Sequence, residues 1–401
     1  MVAATCRDRV EAFLGSENGI LPLEPCYIAR KGLPPGRRLG LKESAYDLGE
    51  RGNIIARCLA SETGINNPQG IPDQGLSFLA LPGQRITVKD ALAAAGDLVM
   101  GAERAAQGRG LNLLAKIFDF NCRLYFHVHL REQDSRLVDK NPKEEGYFFL
   151  EGPDPGPHPE TFFGVHPYIT REGLQEKLLL PLLEAWDSDL ILKHSRAYLN
   201  VPGEGFHLPA GGLHAPGSTL TLELQEPSDT FSVFQARIGD IHIDKALLHK
   251  DIPRERWDRE GERSALSLVD WELSGDPFFY ENRRIAPIPI NSQLASSFSE
   301  SWIIYNSRKF SAKRLVIAPG GSAPSQDAGV YTLFVWRGCG QVDGHSLNAG
   351  EAGKDEYLVS QAKAMSRVEV RNSGTEDLVV FKLFGAGVNP DVPFLKTMVL
   401  K

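Results

Sequence analysis

Apolar and polar residues alternate with period two in two long tracts, one from about residue 113 to 237 and one from about 313 to 383, and that period marks half-buried strands. In the first tract Leu113–Asp119, Arg123–Leu130 and Gly146–Leu150 read as strands, and Gly205–Leu208, Ser218–Glu226 and Phe231–Arg237 resume the pattern. Leu220, Leu222 and Leu224 alternate there with Thr221, Glu223 and Gln225. In Tyr125-Phe126-His127-Val128-His129 the same pleat sends both imidazoles to one strand face. In the second tract Lys313–Ile317, Tyr331–Trp336, Glu356–Ser360, Arg367–Arg371 and Leu378–Leu383 are short strands separated by turns, the spacing of a sandwich or barrel.

Helical periodicity is confined to fewer places. Residues 5–14 form a short amphipathic helix stopped by Gly15. Thr87 caps a second, whose apolar positions 88, 91, 92, 95, 98, 99 and 102 carry it to about Gln107. Thr170 is expected to cap a third, with leucines at 174, 178, 179, 182 and 183 and then Trp186. Leu21 to Leu81 is rich in Gly and Pro and reads as irregular β structure with long loops, while Glu151 to Pro159 holds four prolines and reads as a loop. The charged stretch 250–275 suits a solvated linker or helix face. The prediction is a mainly β protein in two units. Residues 1–275 comprise an N-terminal β/loop region and a β unit with a helical insert at about 170–198, and residues 276–401 form the second.

Composition changes this picture little. A 401-residue chain with 42% hydrophobic and 24% charged residues is an ordinary globular protein, and its net charge of −7 gives no support for nucleic-acid or anionic-membrane binding. No apolar run is long enough to span a bilayer, and the start MVAATCRDRVEAFLG lacks the apolar core of a secretion signal. The five cysteines are scattered and free of any CxxC pair, so they read as reduced thiols of a cytoplasmic protein.

The candidate chemistry starts from His127 and His129, two metal-ligand side chains on one strand face. A third imidazole, His214, closes the segment Phe206-His-Leu-Pro-Ala-Gly-Gly-Leu-His214, in which Pro209 and Gly211 turn the chain before the histidine. For a carboxylate, Glu132 and Glu145 are both near. Glu145 is preferred because it opens a strand that can fix it inward, whereas Glu132 lies in a charged run.

Residues 113–235 resemble the catalytic part of class I phosphomannose isomerases, metalloenzymes of the cupin superfamily. The likeness lies in Leu113-Leu-Ala-Lys-Ile-Phe-Asp119, His127-Val-His129, Lys143-Glu-Glu145, Thr161-Phe-Phe-Gly164, Pro209-Ala-Gly-Gly-Leu-His214, Leu222-Glu-Leu-Gln225 and Ser228-Asp-Thr230, in family order. There are departures. His127 stands where the family has a ligand glutamine, Leu130 where a proline is usual, and Val233 where an active-site arginine follows the Ser-Asp segment. The N-terminal Trp-Glu motif of many members is absent.

The resemblance implies two cupin barrels (double-stranded β-helix, or jelly-roll), the second metal-free. It implies a divalent ion held by His127, His129, Glu145 and His214, with zinc the first expectation and manganese, iron, cobalt or nickel the others. Lys143, Glu223 and Asp229 are, by match, the catalytic set. The implied activity is aldose–ketose isomerisation, a proton moving between C1 and C2 through a cis-enediol, with a sugar or sugar phosphate as partner in a monomer or homodimer. Val233 leaves open a non-catalytic or regulatory sugar-binding metal cupin, and the three-histidine, one-glutamate shell, which also suits iron or nickel oxygen chemistry, leaves a cupin dioxygenase as a third reading.

Overall fold

The computed structural model describes residues 4–152, 154–291 and 297–399. The seven-stranded sheet is antiparallel throughout and runs in the order Arg284–Ile285, Gly205–Leu208, Glu145–Phe149, Thr221–Gln225, Leu114–Phe118, Asn53–Leu59, Cys26–Arg30. Facing it is a five-stranded sheet in the order Ser232–Val233, His127–Val128, His214–Ala215, Glu160–Phe163, Arg196–Leu199. The last third of the chain supplies most of an eight-stranded and a four-stranded sheet.

The seven-stranded sheet acts as a partition, and the period of two decides what each side receives. Ala115, Ile117, Phe148, Leu222 and Leu224 point to one side and pack against Ile303, Phe310, Phe334 and Phe381 of the eight-stranded sheet. Each of these side chains larger than alanine contributes about 1.5–3 kcal/mol relative to exposure. Lys116, Glu145, Tyr147 and Glu223 therefore fall on the other side, between the sheet and its five-stranded partner. Both faces are covered, which is why all of Thr221–Gln225 is buried.

Thr87 accepts from the Asp90 backbone N–H at 2.9 Å and caps Val88–Met100 as expected. The helix stops at Gly101, at φ 89°, before a further turn at Ala102–Ala106. Thr170 is not a cap: it lies inside the short helix Pro167–Arg171 and bonds back to the Pro167 carbonyl, and the longer helix Gln175–Ala185 begins after Gly173. Only His127–Val128 of the expected strand Arg123–Leu130 is laddered. The Phe126 N–H goes to the Gln235 side chain instead of a neighbouring strand.

Within 250–275 the helix reading holds, in Arg254–Glu260, Glu262–Leu266 and Trp271–Ser274. The helical insert packs Leu179, Leu183 and Trp186 against Phe126, Val128, Leu130 and Val233, covering the outer side of the five-stranded sheet. Among the described residues, no helix is long and apolar enough to cross a membrane.

Candidate metal centre

The five-stranded sheet brings His127 and His214 into direct register. His129 follows two residues on from His127, so the three imidazoles share one face, with ring centroids 4.0 Å (His127 to His214), 4.8 Å (His127 to His129) and 5.1 Å (His129 to His214) apart. The turn before His214 is fixed locally. Gly211 has φ +88°, a conformation that disfavours any side chain, and its N–H donates to the His129 carbonyl at 2.9 Å. That bond ties the turn to the strand carrying the other two histidines. Glu145, first residue of its strand in the opposite sheet, reaches across: its Oε1 lies 2.9 Å from His129 Nε2 and its Oε2 lies 3.2 Å from His214 Nε2.

Every one of these rings has its Nδ1 against a backbone carbonyl: His127 on Tyr125 at 2.7 Å, His129 on Thr230 at 2.6 Å, His214 on Gly212 at 3.0 Å. A carbonyl only accepts, so each Nδ1 carries a proton and each ring turns its Nε2 inward, where a neutral ring offers a lone pair. Burial, reinforced by His214 and the other rings, holds the His127 pKa well below the ordinary range, and burial with the nearby Lys143 charge brings His129 down to about 3. Burial opposes charge on Glu145, but the Lys143 ammonium leads the groups that outweigh it and keep the carboxyl well below its usual range.

Imidazole nitrogens and a carboxylate thus converge, and the Nε2 atoms of His129 and His214 are buried with no partner but the Glu145 carboxylate. That donor set fits a cation. The ligand-capable nitrogens of His127, His129 and His214 lie within 4.8 Å of one another, close enough to hold a single metal ion. The carbonyls behind each ring are the outer support that such ligands ordinarily have.

Lys143 and Glu223 join this cluster. Lys143 Nζ lies 2.9 Å from Glu145 Oε1, and although burial opposes its charge, Glu145 and Glu223 hold its pKa above the usual lysine value. Burial, then the charge of Glu145, pushes Glu223 up. Asp229 is not gathered in. It is exposed, at the rim, where its charge still acts on Lys143, Lys250 and Arg30. Glu132 turns outward to an ion pair with Arg136. Val233 is fully buried in the apolar cluster beside the helical insert and is laddered to His127.

Lys116, Gln225 and Tyr147 also belong to the wall, and the sequence reading assigned none of them a role. Lys116 lies directly opposite Glu223, 3.3 Å from its Oε1, and donates to Gln225 at 2.7 Å; burial lowers its pKa. The Tyr147 hydroxyl donates to Glu145. The signal was there for Lys116, a lysine at an inward position of an otherwise apolar strand.

No protein-family model matches the sequence, and no curated protein matches it. Solved structures do. The mannose 6-phosphate isomerase from Bacillus subtilis superposes with a TM-score of 0.61 at 16% identity, over 90% of this chain and 99% of that one. A phosphomannose isomerase mutant from Salmonella typhimurium gives 0.60 at 12% identity, over 91% and 99%. A protein assigned as a mannosephosphate isomerase from Archaeoglobus fulgidus gives 0.61 at 12% identity, over 92% and 97%. The chain therefore has a mainly β, cupin-type fold. More narrowly, that fold is the one seen in phosphomannose isomerases.

Proposed function

We propose that the chain is a metal-dependent aldose–ketose isomerase that moves a proton between C1 and C2 of a small sugar or sugar phosphate. The observation that carries this reading is the convergence of three inward Nε2 atoms and the Glu145 carboxylate beside two buried lysines and a second buried carboxylate. His127, His129, Glu145 and His214 would hold the ion, zinc being the first expectation, and the ion would polarise carbonyl and hydroxyl oxygens of the substrate when bound. Glu223 carries the proton between the two carbons; its raised pKa suits a group that must both take and return it. Lys116 fixes Glu223 Oε1. Lys143, anchored on Glu145, has further N–H groups to donate to a substrate oxygen as charge develops there. Asp229, at the rim, partners a sugar hydroxyl. The division near residue 275 into a metal-bearing and a metal-free unit is part of the same proposal.

The reading is tested by incubating the metal-loaded protein with a panel of aldoses, ketoses and their phosphates. Interconversion of at least one pair is expected, and silence across the panel overturns the reading. Val233 favours one competitor, a sugar-binding protein without turnover, because an apolar residue stands where the resemblance places an arginine. Calorimetric sugar binding in the absence of turnover would select that competitor.

A further inference from the structure

Cys26 and Cys58 are directly opposed in the antiparallel pair formed by Cys26–Arg30 and Asn53–Leu59. Opposed residues in such a pair share a face with Cα atoms about 4.5–5.5 Å apart, inside the range of about 4.4–6.8 Å that a disulfide spans. Both side chains are buried, at 8% and 0% exposure, in a small cluster with Ile28, Ala56 and Leu114. The row continues across the sheet: Lys116 is opposite Cys58, and Glu223 is opposite Lys116. The two thiols therefore stand at one end of a line of residues that reaches the charged wall of the histidine site. Hydrogen bonding between the two sulfurs lowers the Cys26 pKa and raises that of Cys58, so Cys26 is the better nucleophile of the two. All five cysteines are free thiols, and Cys339 faces Asn348, not a cysteine, across its strand pair.

We propose that Cys26 and Cys58 are a dithiol oxidised by hydrogen peroxide to a cross-strand disulfide. The Cys26 sulfur attacks one peroxide oxygen, the O–O bond breaks, and water leaves as Cys26 becomes a sulfenic acid. The Cys58 sulfur then attacks the Cys26 sulfur and expels the second oxygen as water. Both thiol protons end in the two waters, and the pair of sulfurs gives up the two electrons that reduce the peroxide. The bond would lock the two strands together next to Lys116.

The full-length protein is treated with hydrogen peroxide, its remaining thiols are alkylated after denaturation, and the unreduced digest is mapped by mass spectrometry. The expected result is loss of two of the five thiols, a peptide joining Cys26 to Cys58, and recovery of both thiols with dithiothreitol. A Cys58→Ala variant should stop at a Cys26 sulfenic acid that dimedone captures. Alkylation of both cysteines after peroxide treatment, or a disulfide joining either of them to another cysteine, overturns the proposal. The readout is mass, so it stands apart from any result of the sugar panel.

Discussion

At His129 one ring nitrogen is committed to the Thr230 carbonyl and the other is left facing Glu145; His214 divides its nitrogens the same way between the Gly212 carbonyl and Glu145, and His127 has its Nδ1 on the Tyr125 carbonyl. The arrangement makes residue-level predictions. In the metal-free protein, burial holds His129 to about 3, whereas an unfolded histidine titrates near 6.5. Between those values the unfolded chain binds a proton that the folded chain refuses, so acid favours unfolding. Glu145, whose carboxyl is depressed in the fold, adds to the loss in the same direction below the usual glutamate range. Urea midpoints of the metal-free protein should therefore fall steadily as pH drops from about 6.5 towards about 3. His129→Gln should flatten that slope, and an unchanged slope would contradict the assignment. A Lys116→Met change removes the partner of a buried carboxylate; turnover in the sugar panel should fall by about 10²–10⁴-fold if Glu223 moves the proton.

The strand Thr221–Gln225 shows how one element serves both packing and chemistry. Leu222 and Leu224 face the eight-stranded sheet, while Glu223 and Gln225 hold Lys116 in the wall of the site. Leu222→Ala should cost about 2–5 kcal/mol, read from denaturant unfolding, through the cavity it leaves between the sheets. This alternation was legible in the letters, as were the shared face of His127 and His129 and the glycine turn before His214, because each is set by neighbours a few residues away. Lys116 was legible only as a lysine in an otherwise apolar strand; its place in the site was not, because its partner Glu223 lies 107 residues later and only strand order puts them opposite one another. Thr170 misled for a related reason. A threonine before a run of leucines looks like a cap, but Gly173 separates it from the run and the threonine bonds back into its own short turn.

At the scale of the molecule, the least local contacts were invisible to pattern. Ile20–Glu24 runs in the eight-stranded sheet against Glu356–Val359 from the far end of the chain. Arg57, on the outward side of the strand that carries Cys58, makes a buried clamp with Asp355 at 2.6 Å and 2.9 Å and with Glu356 at 2.7 Å. Arg57→Ala would strand two carboxylates out of water and should cost about 3–5 kcal/mol, seen as a lowered denaturation midpoint. Such ties hold the partition sheet, and with it Glu145, at a fixed depth opposite the three histidines.

The proposed isomerase function rests on those four side chains holding a metal, and metal content of the purified protein, measured by elemental analysis for the wild type beside His127→Gln and His214→Ala, tests this most directly. The wild type is expected to carry a divalent metal in a fixed ratio to chain, His127→Gln to keep it because an amide oxygen can take the imidazole's place, and His214→Ala to lose it. Equal metal content in all three, or none in the wild type after loading with zinc, would contradict the account.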